Sequence, residues 1–249
     1  MEPARPKQHK RRVILQAALV GGAIGAYWAR HRGGGSGRGP TSGGEGYFAG
    51  IQVPWLAYDT ALQGFWPLLV AAVVLFVIFS VYWEVAARKA GVAKTSESSA
   101  SRALHVFLTN AALLLELIPI HGLGRYVPAS ALIMSAGLAV QIAGLAVAIW
   151  ARRHLGTNWS GRISIMAGHE IVRSGPYRVL RHPIYTGILA MYIGLALVTG
   201  EWLALIGLGL AGFAYWRKIR LEEAALDTAF GPDYAAYRRE TWALVPGLF

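Results

Sequence analysis

Residues 184–216, "IYTGILAMYIGLALVTGEWLALIGLGLAGFAYW", form an apolar run of 33 residues that decides the fold. As a single helix this run would be about 50 Å long, whereas the hydrocarbon core of a bilayer is about 30 Å thick. The run is interrupted at "VTGE", residues 198–201, where a glycine and a carboxylate favour a turn. The sequence therefore predicts a tight hairpin of two short membrane helices.

Four further apolar segments precede this hairpin, at residues 13–29, 65–87, 103–120 and 129–151. The chain is 55% hydrophobic and 15% charged, whereas a soluble domain is about 25% charged. Long apolar runs with so few charges are typical of polytopic membrane proteins. We predict an all-α bundle of about six transmembrane helices, with cytoplasmic C-terminal helices covering a site at the membrane surface.

The distribution of basic residues predicts the orientation of these six spans. Twenty of the 24 Lys and Arg residues fall on the side that holds both termini and the loops at 88–102 and 152–183. Such an excess marks the cytoplasmic side, so we expect a multi-pass protein with both termini and its site in the cytoplasm. The net charge of +11 is then explained by topology and anionic lipid, and no nucleic-acid partner is predicted.

Four regions are expected along the chain. Residues 1–32 are a basic segment and an additional membrane anchor, residues 33–63 a Gly-rich linker and pre-membrane segment, residues 64–151 transmembrane helices, and residues 152–249 the functional region. The first segment resembles a signal peptide, but no small-residue cleavage site follows it, so we expect it to be retained. The chain has no cysteine and its histidines lack ligand spacing, so no metal site is predicted.

Polar residues are concentrated in the loop 152–183 and in the segment 216–237, which lie on either side of the hairpin. Because a hairpin returns the chain to the side from which it started, we expect the two clusters to be close in space. Gly231 and Pro232 predict the end of one helix and the start of the next. That short last helix would direct Tyr234 and Tyr237 back toward the site.

Several motifs in these clusters resemble those of a known family. The motifs are "NWSGR" at 158–162, "HEIVRSGPYRVLRHPIYTG" at 169–187, the glutamate pair at 222–223 and "FGPDYAAY" at 230–237. Together they look like the isoprenylcysteine carboxyl methyltransferase family, which lies in a superfamily of membrane methyltransferases that includes phospholipid methyltransferases. The resemblance extends over about residues 152–249.

The resemblance implies S-adenosylmethionine as cofactor, bound without a Rossmann sheet. By motif, the implied cofactor-binding residues are Arg162, His169, Glu170, Ile171, Val172, Tyr177, His182, Pro183, Ile184, Tyr185 and Glu222. The family has an arginine, proposed to hold the acceptor carboxylate, four residues before the cofactor glutamate. Here that position is Lys218, next to Arg217, and a lysine supplies a point charge instead of a bidentate fork. Lys218 and Arg217 are therefore the predicted catalytic residues.

The chemistry of the residues agrees with this assignment. Tyr177 and Tyr185 can stack on an adenine or face a sulfonium, Glu222 can pair with an ammonium, and His182 can bind a carboxylate. Pro183 suits the first turn of the next helix. We expect it to hold His182 and Tyr185 on opposite sides of a rigid helix start.

We therefore predict a membrane methyltransferase that acts on a lipophilic acceptor, first of all a carboxylate on a prenylated cysteine or a lipid acid. An amine of the phospholipid type is the alternative acceptor. A nicotinamide-dependent reductase of the membrane sterol type is the other enzyme class that shares this C-terminal pattern. Besides the acceptor, membrane lipids are the expected partners.

Other polar and small residues have expected structural roles. Glu223 should be a solvated neighbour of Glu222, and Glu116, near the end of a span, should reach water. Gln141 should form an interhelical hydrogen bond, and the glycines at 137 and 144 should allow close helix packing. Lipid headgroup contacts or topology signals are the expected roles of Arg152, Arg173 and Arg178.

Overall fold

The computed structural model describes residues 46–48, 51–53, 65–89, 97–118, 124–156 and 171–247. Six α-helices make up most of these residues: α1 (Trp66–Lys89), α2 (Ser99–Leu117), α3 (Ala131–Leu155), α4 (Pro183–Thr199), α5 (Trp202–Phe230) and α6 (Pro232–Glu240). A 3-10 helix, Gly175–Arg178, precedes α4. The described bundle is helical, as the sequence predicts.

A short β-hairpin lies within the predicted linker region. Its strands are β1 (Gly46–Phe48) and β2 (Ile51–Val53), which pair in an antiparallel register. The composition of residues 33–63 did not indicate this hairpin. The first predicted span, residues 13–29, lies outside the described residues.

The helices begin and end at residues with clear local reasons. The hydroxyls of Ser98 and Ser130 accept hydrogen bonds from backbone N–H groups in the first turns of α2 and α3. Between α4 and α5, Gly200 has a φ of 64°, and its N–H donates to Ala196 O at 2.7 Å. The predicted break at residues 198–201 is therefore confirmed. The predicted helix end and start at Gly231 and Pro232 are confirmed as well.

Two described helices, Trp66–Ala87 and Ala131–Leu155, are long and apolar enough to cross a membrane, and Pro183–Thr199 is a shorter apolar helix. Large apolar side chains point outward from several helices, among them Leu132 at 81% exposure and Ile206 at 60%. An apolar outer surface is typical of helices that face lipid. The count of six spans and their orientation stay predictions.

Helices α3 and α4 pack through glycines, which confirms the close packing predicted at Gly137 and Gly144. A Cβ atom built on Gly144 would lie 2.5 Å from Gly187 O, and one built on Gly137 would lie 2.7 Å from Gly194 O. The two backbones are thus in direct contact at two levels, seven residues apart on each helix. This contact fixes α4, and with it the functional loop that leads into α4.

Two polar side chains inside the bundle have different surroundings. Gln141 of α3 donates from Nε2 to Ala72 O of α1 at 2.9 Å, which confirms the predicted interhelical hydrogen bond. Glu116 of α2 is only 1% exposed, so the expectation that it reaches water is wrong. The physical reason is that α2 packs this position against α5, where a Cβ built on Gly207 would lie 2.9 Å from Glu116 Cγ.

We predict that Gly144→Ala lowers the free energy of unfolding by about 1–3 kcal/mol, because the added methyl group overpacks a backbone contact. The measurement is the thermal unfolding midpoint in detergent micelles. Gly209→Ala is the matched control, since a Cβ at Gly209 would meet no atom within 4 Å. Equal midpoints for the two variants would contradict the proposed role of the α3–α4 contact.

Candidate functional site

The two polar clusters that flank the hairpin meet at the start of α4, as predicted. The Tyr185 hydroxyl donates to Glu222 Oε2 at 2.8 Å. His182 Nδ1 lies 3.7 Å from Glu222 Oε2, and His182 Nε2 lies 3.3 Å from Glu223 Oε1. Side chains from the start of α4 and from the C-terminal part of α5 therefore form one cluster.

Glu223 is a largely buried member of this cluster and is paired within the protein, so its predicted role as a solvated neighbour is wrong. Its side chain is 13% exposed, and its Oε1 accepts a hydrogen bond from Arg181 Nε at 2.8 Å. Burial opposes the charge of Glu223, but the hydrogen bonds and charges of His182 and Arg181 outweigh it and hold its pKa at about 2. The sequence contained a signal for this role, since Arg181 and Glu223 are charged residues at the two ends of an apolar hairpin.

The rings of His182 and Tyr185 are stacked, with centroids 5.6 Å apart and an interplanar angle of 11°. The expectation that Pro183 holds them on opposite sides is therefore wrong. Pro183 does begin α4, as predicted, and His182 is the N-cap. Residues three apart at a helix start share one face, so the first turn of α4 places both rings side by side.

The C-terminal segment after α6 positions the loop that carries His182. The N–H groups of Arg181 and His182 donate to the carbonyl oxygens of Trp242 at 2.8 Å and Ala243 at 3.1 Å. The guanidinium of Arg181 also donates to Thr241 O. This strand-like pairing holds the backbone on both sides of the His182 side chain, and no motif in the sequence indicated it.

Helix α6 packs against the 3-10 helix and covers one side of the site. Tyr237 donates from its hydroxyl to Tyr177 O at 2.7 Å, so this tyrosine anchors the 3-10 helix. Arg173 donates to Asp233 O at 2.9 Å and lies over the Tyr237 ring at 5.6 Å, so it also contacts α6, and its role as a headgroup contact or topology signal stays a prediction. The predicted direction of Tyr234 and Tyr237 toward the site is confirmed, since both are buried beneath α6.

Other predicted site residues line the same region. Tyr177 is buried in the 3-10 helix, and burial raises its pKa above the usual value. Pro183 and Ile184 are buried in the first turn of α4, while Ile171 and Val172 are partly buried before the 3-10 helix. Arg162, His169 and Glu170 lie outside the described residues.

The two predicted catalytic residues contact the start of α2. Lys218 Nζ lies 3.8 Å from Glu97 Oε2, and both side chains are largely buried. Arg217 donates from Nη2 to Ser101 Oγ at 2.8 Å. The charge of Lys218 is thus compensated by a carboxylate within the protein, which the sequence did not indicate.

The polar groups of the cluster fit a zwitterionic ligand such as S-adenosylmethionine. The Glu222 side chain is 31% exposed, so its carboxylate can receive an ammonium group in addition to the Tyr185 hydroxyl. Tyr234 Oη is buried and has no hydrogen-bond partner within the described residues, and burial raises its pKa, so it is a protonated donor. The cluster therefore presents both a carboxylate and hydrogen-bond donors, as such a ligand requires.

Comparisons with known proteins find matches in this part of the chain. Residues 132–233 match the model of the family described as Phospholipid methyltransferase. A stretch of 81 residues is 30% identical to Protein-S-isoprenylcysteine O-methyltransferase of Dictyostelium discoideum, and it covers 32% of this chain and 34% of that relative. The resemblance to the membrane methyltransferase superfamily is confirmed.

Two further proteins are similar to the chain. A stretch of 88 residues is 40% identical to the cobalt-zinc-cadmium resistance protein CzcN of Cupriavidus metallidurans, covering 34% of this chain and 40% of that relative. The chain thus spans between a third and two fifths of the curated relatives it matches. The solved structure of the eukaryotic intramembrane Ras methyltransferase ICMT aligns with a TM-score of 0.49 and 20% identity, covering 73% of this chain and 68% of that one.

We predict that Glu223→Gln lowers the thermal unfolding midpoint at neutral pH, because Arg181 and His182 lose their buried carboxylate partner. The folded-state pKa of Glu223, about 2, lies below its ordinary value of 4.5. Its stabilising contribution is therefore complete above pH 4.5 and is lost as the pH falls toward 2. Midpoints measured in detergent should differ by a constant amount from pH 7 to about pH 5, and the difference should shrink progressively as the pH falls from 4.5 to 3.

The control for this experiment is Asp227→Asn, which removes an exposed ion pair with Arg238. Exposed pairs contribute little, so this variant should match wild type across the range. A constant difference between wild type and Glu223→Gln at every pH would contradict the assigned ionisation.

Proposed function

We propose that this protein is an integral-membrane, S-adenosylmethionine-dependent methyltransferase whose acceptor is lipophilic. The observation that carries the proposal is the direct contact of His182 and Tyr185 with the glutamates of α5, at the place where the apolar hairpin leaves the membrane. The family match over residues 132–233 supports it, since this range includes the whole cluster from Tyr177 to Glu223.

Different residues of the cluster would bind different parts of the cofactor. Glu222 would pair with the ammonium group of the methionine part, His182 would bind its carboxylate, and the Tyr185 ring would face the sulfonium. His169, Glu170, Ile171 and Val172 remain proposed contacts of the nucleoside, and Arg162 remains a further proposed cofactor contact. When bound, the cofactor supplies an activated methyl group, so the protein needs mainly to align the acceptor and exclude water.

Two acceptor classes follow from different observations. Carboxylate methylation, the first expectation from the sequence, is supported by Lys218 and Arg217 at the acceptor position and by the similarity to the Dictyostelium protein named as an isoprenylcysteine O-methyltransferase. Amine methylation is supported by the phospholipid methyltransferase match. It is also supported by the ion pair of Lys218 with Glu97, which reduces the positive charge available to a carboxylate.

We predict that Glu222→Gln and His182→Ala each weaken the binding of S-adenosylhomocysteine. Loss of one charge-assisted hydrogen bond costs about 1.5–3 kcal/mol, which corresponds to an affinity about 10- to 100-fold lower. The measurement is isothermal titration calorimetry of the purified protein in detergent. NADPH is titrated in a separate experiment, because it is the cofactor expected for the alternative reductase. Glu240→Gln, at a carboxylate that is 67% exposed, is the control and should bind normally.

Unchanged affinity in both site variants would place the cofactor elsewhere. Binding of NADPH in place of S-adenosylhomocysteine would favour the reductase and overturn the proposed function.

A second prediction separates the two acceptor classes. Membrane extracts are incubated with the protein and with S-adenosylmethionine labelled in its methyl group, and the products are then treated with base. A methyl ester releases volatile labelled methanol, whereas an N-methyl product retains its label. Absence of any labelled lipid product, with normal S-adenosylhomocysteine binding, would contradict a lipophilic acceptor in those membranes.

A further inference from the structure

His105 of α2 lies beside the proposed site and has no role in the function as described so far. Its ring packs edge-on against the Tyr215 ring, with centroids 5.2 Å apart and an interplanar angle of 85°. Tyr215 in turn packs against Tyr185 at 5.3 Å. One aromatic ring therefore separates His105 from the tyrosine that binds Glu222.

The hydrogen bond of His105 fixes which ring nitrogen carries a proton. Nδ1 lies 3.2 Å from Ala214 O of α5. A carbonyl oxygen only accepts hydrogen bonds, so Nδ1 is the donor and, in the neutral ring, Nε2 carries the free lone pair. Within the described residues Nε2 has no hydrogen-bond partner, and the side chain is only partly buried. His105 thus has an unprotonated Nε2 on a partly buried side chain.

The surroundings of His105 include the residues at the predicted acceptor position. The ring faces α5, as both of its contacts there show. The charged groups nearby are Lys218 and Arg217 of α5 and Glu97 before α2, and Lys218 and Glu97 compensate each other. An acceptor held by Lys218 and Arg217 would therefore lie on the same side of α2 as His105.

We propose that His105 is a catalytic residue that removes the proton from an amine or hydroxyl acceptor. This inference rests on the proposed function and specifies the acceptor of that same site. The acceptor lone pair forms the new bond to the methyl carbon, the carbon–sulfur bond breaks with its electron pair left on sulfur, and the acceptor proton passes to Nε2. A carboxylate acceptor has no such proton, so this base would have no part in its methylation.

The test compares His105→Gln and His105→Ala with wild type on two defined acceptors. The amine probe is vesicles of dioleoylphosphatidylethanolamine, and the carboxylate probe is farnesylated N-acetylcysteine. Because a positioned general base contributes about 10²–10⁴-fold in rate, kcat with the amine should fall at least about 100-fold in both variants. The acid limb of the wild-type kcat profile, measured at saturating amine, should disappear, and free imidazole should restore part of the activity of His105→Ala.

Binding of S-adenosylhomocysteine is measured in parallel and should be unchanged, which separates catalysis from folding. Thr109→Val is the matched control, because the Thr109 hydroxyl bonds only to carbonyls of its own helix. This variant should keep the wild-type rate and pH profile.

The outcomes distinguish the inference from the function on which it rests. Wild-type protein that methylates only the carboxylate probe, or variants that retain the wild-type rate and pH profile with the amine, would overturn the role of His105 and leave the methyltransferase function standing. Wild-type protein that does not bind S-adenosylhomocysteine would overturn the proposed function itself.

Discussion

The structure depends on the buried contact between Arg181 and Glu223, which joins the loop before the hairpin to the helix after it. The two residues are 42 positions apart, and the apolar hairpin fills the interval. Removing one partner would leave the other charge buried and unpaired, which is costly. This contact therefore sets the position of α5 relative to the start of α4, and His182 and Tyr185 reach the glutamates as a consequence.

The hairpin is itself fixed by contacts that contain no polar side chain. Gly137 and Gly144 of α3 meet Gly194 and Gly187 of α4 backbone to backbone. In a lipid environment, where apolar burial gives little drive for association, such close packing is a main source of helix–helix affinity. The polar site thus rests on an apolar scaffold, and the C-terminal segment at Trp242 and Ala243 closes it from the water side.

The contacts of α2 add further polar groups beside the site. Lys218 is compensated by Glu97, and His105 presents a nitrogen next to Tyr215. A site in which Glu97 neutralises Lys218 attracts an anionic acceptor less strongly than a site with a free arginine at the same position. The departure of this sequence from the family arginine at Lys218 is therefore accompanied by a partner that changes what the position can bind.

The sequence by itself determined the apolar helices, the turn at Gly200 and the end of α5 at Gly231, because hydropathy, glycine and proline act locally. It also determined that the two polar clusters meet, since a hairpin returns the chain to the side from which it started. Only the tertiary structure decided which glutamate faces which partner, since Glu222 and Glu223 are adjacent in sequence and a rotation of about 100° along the helix separates their directions. It also decided the stacking of His182 on Tyr185, the pairing of Lys218 with Glu97 and the contact of His105 with Tyr215. These contacts join residues that are distant in the chain, so no local pattern specifies them.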